Sequence, residues 1–462
     1  MNSRSVFDMQ KWSVDNFEGC DLGDARRSRR LVKFAGQVAN RPSASLPKIG
    51  ENWGGVKGIY RLLDRPEATL SSVTEAHRRH VARAKGRWLI ISDTTHVDFG
   101  KQRQIKGAGP IGRGKSKGFL LHSALQFDAR TRVLSGVAGQ VTHVRRQKRG
   151  KQNDSQRLKR WRESEMWIEL FEQVGTPPEG SEHIHVCDSA ADNFEAFCTL
   201  KRLHAGFVIR VGRYQRNVVA PDGRQMQLSQ YVRELEELGE YDLEVARGNG
   251  RKARTARLRV SAGPVRIPLP EHRSRRVKAW GRPIDLWVVV VEETSPPRGV
   301  EPIRWILLTT LAADTFAAVW EIVGYYEDRW LVEEWHKALK TGCALESRQL
   351  QSVGRLLPLT GVLSVVAVLL VQLKMIAHNA PQTPASDVIP AVWIDMLQAK
   401  GKLGTKQPTV RDLWRGVAKL GGFLGRKSDG EPGWQTIWRG WLELHQLVEG
   451  ARLLKKTHRR CG

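Results

Sequence analysis

The chain has 462 residues, of which 40% are hydrophobic, and its 75 Lys and Arg against 48 Asp and Glu leave a formal charge of +27. That length exceeds one average domain and that apolar share permits a packed core, while the charge points to a polyanion such as DNA or RNA as partner. The five scattered cysteines form no CxxC pair, which excludes a disulfide scaffold and a cysteine zinc site, and the opening MNSRSVFDMQKW lacks the apolar run of a secretory leader.

Asp24 stands before ARRSRRLVKFAGQVA, where Leu31, Phe34, Ala35 and Val38 mark an apolar stripe, so a capped amphipathic helix is expected. Arg26, Arg27, Arg29, Arg30 and Lys33 fill the rest of it. Their mutual repulsion is tolerable where solvent, acidic neighbours or phosphates offset it, so they read either as DNA contacts or as a solvated basic face. GGVKGIYRLLDRP and EATLSSVTEAHRRHVARAK continue the helical pattern.

RWLIISDTTHVDF then reads as a strand that breaks at Asp93. The Gly/Lys-rich loop from Lys106 to Gly118 lacks the GxGxxG register of a nucleotide cradle, and FLLHSALQFDA and RVLSGVAGQVTHV follow as strands joined by a turn at Arg130-Thr131. The basic run from Val144 to Ser164 merges into a helix ending near Val174. Ile184 to Cys187 is a short strand ending at Asp188, with a helix from about Ala191, and FVIRVGR is another core strand. From Tyr214 to Gly299 come antiparallel β pieces, YDLEVARG, ARTARLRVSAGPVRIPL and IDLWVVVVEE, with cationic edges. WILLTT returns to an apolar core, and a helix from about Asp314 leads into YYEDRWLVEEWHKALK. LPLTGVLSVVAVLLVQLKMI has the length of a membrane span, but Thr360, Ser364, Gln372 and Lys374 interrupt it, so a buried core helix is expected. Helical pieces after Ala380 form the tail.

Within YYEDRWLVEEWHKALK, residues Tyr326, Arg329, Glu333 and Lys340 share one face of a continuous helix, and Trp330, Leu331, Val332, Trp335 and Leu339 offer apolar packing surface. A surface helix with an ion pair is the bland reading. Asp93 and Asp188 each end a strand, where turn caps are also common, and together with Glu333 they place three carboxylates at one edge of a sheet. Such a set suits two Mg²⁺ ions, with Mn²⁺ as a substitute, serving in-line phosphodiester displacement, and Arg329 and Lys340 are placed to neutralise phosphate oxygens. His96, His122 and His336 have no ligand spacing and are expected to be structural or to stand behind the metal ligands.

SDTT around Asp93, VCDSAAD around Asp188 and EEWHKALKTG around Glu333, with Tyr326, Arg329, Glu333 and Lys340 in Y-x2-R-x3-E-x6-K register, resemble the DDE cut-and-paste transposases of bacterial insertion sequences. FEGCDLGDARRSRRLVKFA, GFLLHSALQF and SPPRG…RWILLTT extend the likeness over most of the chain to about Lys374. The resemblance implies an α/β fold: an RNase H-like catalytic core over 81–213 and 301–378, interrupted by an antiparallel β insertion over 214–300. A helical DNA-binding domain over 1–80 and a helical dimerisation domain over 379–462 flank it. It implies Asp93, Asp188 and Glu333 as catalytic residues and metal ligands, and phosphate contacts from Tyr326 and Arg329. Trp305 is implied as a base stack and Arg210 as a phosphate contact, although a strand core residue and a structural arginine read as well there. The implied partners are double-stranded transposon ends, target DNA and a second copy of the chain. The implied reaction is nicking, hairpin formation and resolution, then strand transfer. A bacterial cytoplasm, association with the nucleoid and no membrane are further expectations. The alternatives are a metal-dependent nuclease or a transposase-derived DNA-binding protein that does not integrate.

Overall fold

Five helices open the part of the chain that the computed structural model describes, residues 9–458 without 51, 113, 146–162, 246–252, 272–273 and 427–428. They are α1 (Met9–Phe17), α2 (Ala25–Asn40), α3 (Leu46–Ile49), α4 (Trp53–Leu63) and α5 (Leu70–Ala82). Their starts are fixed locally: Asp24 accepts from the Arg26 N–H at α2, Asn52 from the Gly55 N–H at α4, and Thr69 and Ser72 close a capping box at α5. The expected stripe of α2, Leu31, Phe34, Ala35 and Val38, is buried in the main core.

The strands follow as β1 (Arg87–Asp98), β2 (Gly109–Pro110), β3 (Lys117–Asp128) and β4 (Leu134–His143), then β5 (Glu182–Cys187) and β6 (Gly206–Arg210). α6 (Glu165–Val174) precedes β5 and α7 (Phe194–Arg202) follows it; most of the basic run from Val144 to Ser164 lies outside the described residues. Next come β7 (Asn217–Val219), β8 (Gln225–Gln227), α8 (Leu228–Tyr231), β9 (Glu237–Val245), β10 (Arg254–Ile267), α9 (Arg275–Trp280), β11 (Ile284–Glu293) and β12 (Arg304–Thr309).

These strands make one mixed sheet in the order β2-β3-β1-β5-β6-β12-β11-β10-β7-β8, with β4 on β3 and β9 on β10. β1 with β5 and β5 with β6 run parallel; the other described pairs are antiparallel. The stretch from 214 to 300 is antiparallel as its alternation suggests, yet it is no separate layer. β11 pairs with β12, Val289 opposite Leu307, so the β-rich stretch prolongs the same sheet.

The chain then forms α10 (Phe316–Glu327), a 3₁₀ turn at Asp328–Trp330, α11 (Leu331–Lys337), a π turn at Ala338–Gly342 and the long α12 (Val353–Asn379). α13 (Ala385–Val388), α14 (Ala391–Ala399), α15 (Val410–Leu420) and α16 (Trp434–His458) complete it. Leu89, Ile91, Leu121, Leu125, Ile184 and Val186 share the core in which α10, α11 and α12 pack. Ile90, Ala124, Cys187 and Phe207 face α6 and α7 on the opposite side. α12 is long and apolar enough to cross a membrane, but 89% of its most apolar window is buried inside the protein, so core packing accounts for its composition. The result is a mixed α/β molecule with helical ends.

Candidate active site

The parallel pairing of β1 with β5 stops at Ile91 opposite Val186, whereas β1 continues against β3 to Asp98. Asp93 therefore does not end its strand, contrary to the sequence reading. The strand goes on because Thr95 and Val97 stay buried beside Leu121 and Phe119 of β3. What ends there is β5, so Asp93 sits in the notch where its neighbour turns away, and Asp188 is the first residue after β5. Asp188 Oδ1 accepts the Ala190 N–H at 2.9 Å, capping a 3₁₀ turn over Ser189–Ala191. Its role as a turn cap and its place beside Asp93 coexist.

Glu333 comes from the helix that lies over this notch. That helix is not the continuous α-helix that a single-face spacing assumes, since the 3₁₀ turn and the π turn change its phase. The row holds from Arg329 to Glu333: Arg329 Nη2 stands 3.5 Å from Glu333 Oε1 and Nη1 stands 3.9 Å from Asp93 Oδ2. Lys340, in the π turn, engages β1 three residues beyond Asp93. Its Nζ donates to the His96 carbonyl at 2.6 Å and lies 3.3 Å from Glu346, whose carboxylate also takes the Asp98 N–H. Lys340 thus ties the helix to the far end of β1. Val332, Trp335 and Leu339 are buried as expected, but Trp330 is 53% exposed because the 3₁₀ turn swings it outward, where the Lys337 ammonium sits 5.1 Å from its ring.

Burial pushes the Asp93 carboxyl up to about 6, with the charges of Asp188 and Glu333 adding to the shift and the Thr94 N–H and Arg329 opposing it. Asp93 is in electrostatic contact with Asp188 and Glu333 and shares the Arg329 guanidinium with Glu333, and carboxylate oxygens are the hard donors that suit Mg²⁺ or Mn²⁺. Among the described residues no three Asp, Glu, His or Cys side chains stand in closed ligation geometry. His122 and His336 are turned into the core, whereas His96 is exposed on β1. His122 Nδ1 lies 2.8 Å from Thr94 Oγ1 and its ring packs on Trp167, and burial lowers His122 and His336 to about 3, so both are neutral.

Tyr326 lies on the Asp188 side of the row. Burial raises its pKa, and the nearby charge of Arg210, which is exposed at the end of β6, opposes that shift. Trp305, partly buried on β12, meets the Tyr326 ring edge at 5.8 Å. Trp305, Arg210 and Tyr326 are therefore one cluster, brought together by the pairing of Leu307 with Arg210. Its Trp305 serves as a core-rim contact and remains partly open.

The five N-terminal cations divide. Arg27 turns inward to Glu67 at 3.0 Å and to the Leu22 carbonyl at 3.1 Å, bracing the domain, whereas Arg26, Arg29, Arg30 and Lys33 are exposed. A Cβ on Gly58 of α4 would come within 2.9 Å of the Arg30 Cζ, so that glycine lets the guanidinium lie across α4. Sequence reasoning also passed over Asp192, the second acid of VCDSAAD. It is buried, accepts the Gly212 and Arg213 N–H groups at 2.7 and 2.8 Å and pairs with Arg216, which fastens the loop after Asp188 to the loop after Arg210.

Residues 9–68 match the family model described as transposase DNA-binding, and residues 365–460 match that described as transposase Tn5 dimerisation domain. The first covers α1 to α4, and the second begins inside α12 and takes in α13 to α16. The chain is thus similar at its two ends to parts of transposases that bind DNA and dimerise, which supports a transposase that binds DNA and pairs with a second copy. The carboxylate cluster lies between the two matches.

Proposed function

We propose that the chain is a DDE-type transposase that cuts and joins DNA at one metal-dependent site made of Asp93, Asp188 and Glu333. The observation that carries this reading is Asp93 in electrostatic contact with Asp188 and Glu333 and sharing Arg329 with Glu333, in a chain with a DNA-binding match at one end and a dimerisation match at the other. We read β1, β3, β4, β5 and β6 as an RNase H-like core whose sheet the β-rich stretch prolongs.

Asp93, Asp188 and Glu333 would hold Mg²⁺, or Mn²⁺ in its place, and two such ions supply a more acidic bound water or 3′-hydroxyl and charge neutralisation at the leaving oxygen. The residues of the chain do the rest. Arg329 offers its guanidinium to a phosphate oxygen once the carboxylates are otherwise neutralised, and Arg210 with the Tyr326 hydroxyl offers a second such contact beside Asp188. Arg26, Arg29, Arg30 and Lys33 supply salt-sensitive grip on the terminal repeats far from the chemistry. Nicking, a hairpin intermediate, its resolution and joining of the 3′ ends to target DNA then follow at one centre, in an assembly of two copies on paired ends.

The test is a labelled duplex bearing the terminal repeat of the flanking element, incubated with the protein, Mg²⁺ and a supercoiled plasmid. Label covalently joined to plasmid supports transposition. Cut ends that never join favour the nuclease reading, and binding without cutting favours a protein that only binds DNA.

A further inference from the structure

A chain of buried hydrogen bonds crosses the core between the strand beside Asp93 and the helix of Glu333. Gln140 on β4 is 3% exposed and donates from Nε2 to Ser123 Oγ at 3.1 Å and to Ser364 Oγ at 3.0 Å. Ser123 stands directly opposite Asp93 in the β1–β3 ladder, on the same face of the sheet. Ser364 belongs to α12, and its carbonyl accepts the Trp335 indole N–H at 3.2 Å. Trp335 is fully buried, two residues after Glu333.

The other end of the Gln140 amide, Oε1, is buried without a partner. Turning the amide over does not relieve this, because both serines flank the same end and one end is left over in either orientation. A methionine of similar volume would pack there without the desolvation cost of an orphan polar atom, so packing alone does not select glutamine. What the amide adds is direction. It holds two serines, one on the strand paired with β1 and one on the helix under α11, at a fixed separation.

The geometry points to Gln140 as a positioning residue that sets the spacing of Asp93 and Glu333 by tying Ser123 to Ser364, and so sets how firmly the carboxylates take a divalent cation. This rests on the reading of those carboxylates as metal ligands. β1 and β3 are locked by their ladder, whereas α11 reaches the sheet through side chains alone. The Ser364 link adds a buried hydrogen-bonded brace to its height above Asp93, alongside the Lys340 bond to the His96 carbonyl further along β1.

The experiment uses the full chain with Gln140→Met and, independently, Ser364→Ala, beside wild type and Glu333→Ala. Mn²⁺ affinity is read by electron paramagnetic resonance titration, the Mg²⁺ needed for half-maximal cutting of an end duplex by gel, and DNA affinity and Tm without metal. Both variants are expected to weaken Mn²⁺ binding and raise the Mg²⁺ requirement by roughly 10–100-fold, the usual cost of losing a group behind a metal ligand. Saturating Mg²⁺ restores most of the cutting, metal-free DNA affinity stays near wild type, and the double variant is no worse than the weaker single one. Wild-type Mn²⁺ affinity in either variant overturns the inference, as does a loss of metal and DNA binding in step with a falling Tm. If wild type itself binds no Mn²⁺ in a Glu333-dependent way and cuts nothing, the metal-ligand reading fails too, an outcome separate from the first two.

Discussion

Asp93 keeps its proton to about pH 6 because burial and two neighbouring carboxylates disfavour its anion. A folded pKa above the ordinary 3.8 means that the folded chain binds this proton more tightly than the unfolded one. Without metal, the ionised group therefore lowers stability above pH 6, and the penalty is relieved as pH falls toward the unfolded value. Asp93→Asn is expected to raise stability at pH 7.5 by roughly 1–2 kcal/mol and to add little at pH 4.5, measured by chemical denaturation in chelator. A raise that is the same at both pH values would contradict the assignment. Arg329 is the counterpart. Arg329→Met removes the cation that Asp93 and Glu333 share, so cutting should fall by roughly 100-fold while DNA affinity changes little and its salt slope drops by about one. Gel cleavage and binding titrations at several salt concentrations separate the two effects.

At the scale of elements, the helix that carries Glu333 shows where periodicity misleads. Its acidic and cationic row is legible in sequence, and so are the buried Val332, Trp335 and Leu339, because a 3.6-residue period survives within each short segment. The placement of Trp330 is not legible, since a 3₁₀ turn resets the phase there and no local residue signals it. The difference is measurable by thermal denaturation. Trp335→Ala should cost about 3–5 kcal/mol, whereas the half-exposed Trp330→Ala should cost under about 0.5 kcal/mol. β1 gives the same lesson for strands. Its apolar run ends at Asp93, but its length is decided by the ladder with β3, a long-range contact that composition does not carry. The alternating strands of the 214–300 stretch were readable, while their union with the main sheet depends on β11 choosing β12 as neighbour.

For the whole molecule, the charge of +27 and the three acids pull in opposite directions, and the fold keeps them apart. Exposed cations lie on α2, while Asp93, Asp188 and Glu333 gather at a notch in the sheet with Arg329 among them. Between the two, the buried Arg348 donates to the carbonyls of Pro42 and Ala44 and to that of Cys343, joining the N-terminal helices to the segment just after the Glu333 helix. A dimerisation match over 365–460 that starts within α12, the helix that supports α11, implies that pairing of two copies and order at the site share one element. Light scattering on complexes with paired ends is expected to give two protein copies; a stable single copy on paired ends would speak against that arrangement. The most direct measurement is cutting of an end duplex at full occupancy, with Mg²⁺, by wild type and by Asp93→Asn, Asp188→Asn and Glu333→Gln. Loss of cutting in all three variants with DNA binding retained is the expected result. Cutting that survives in any one of them would contradict a single centre built from these three carboxylates.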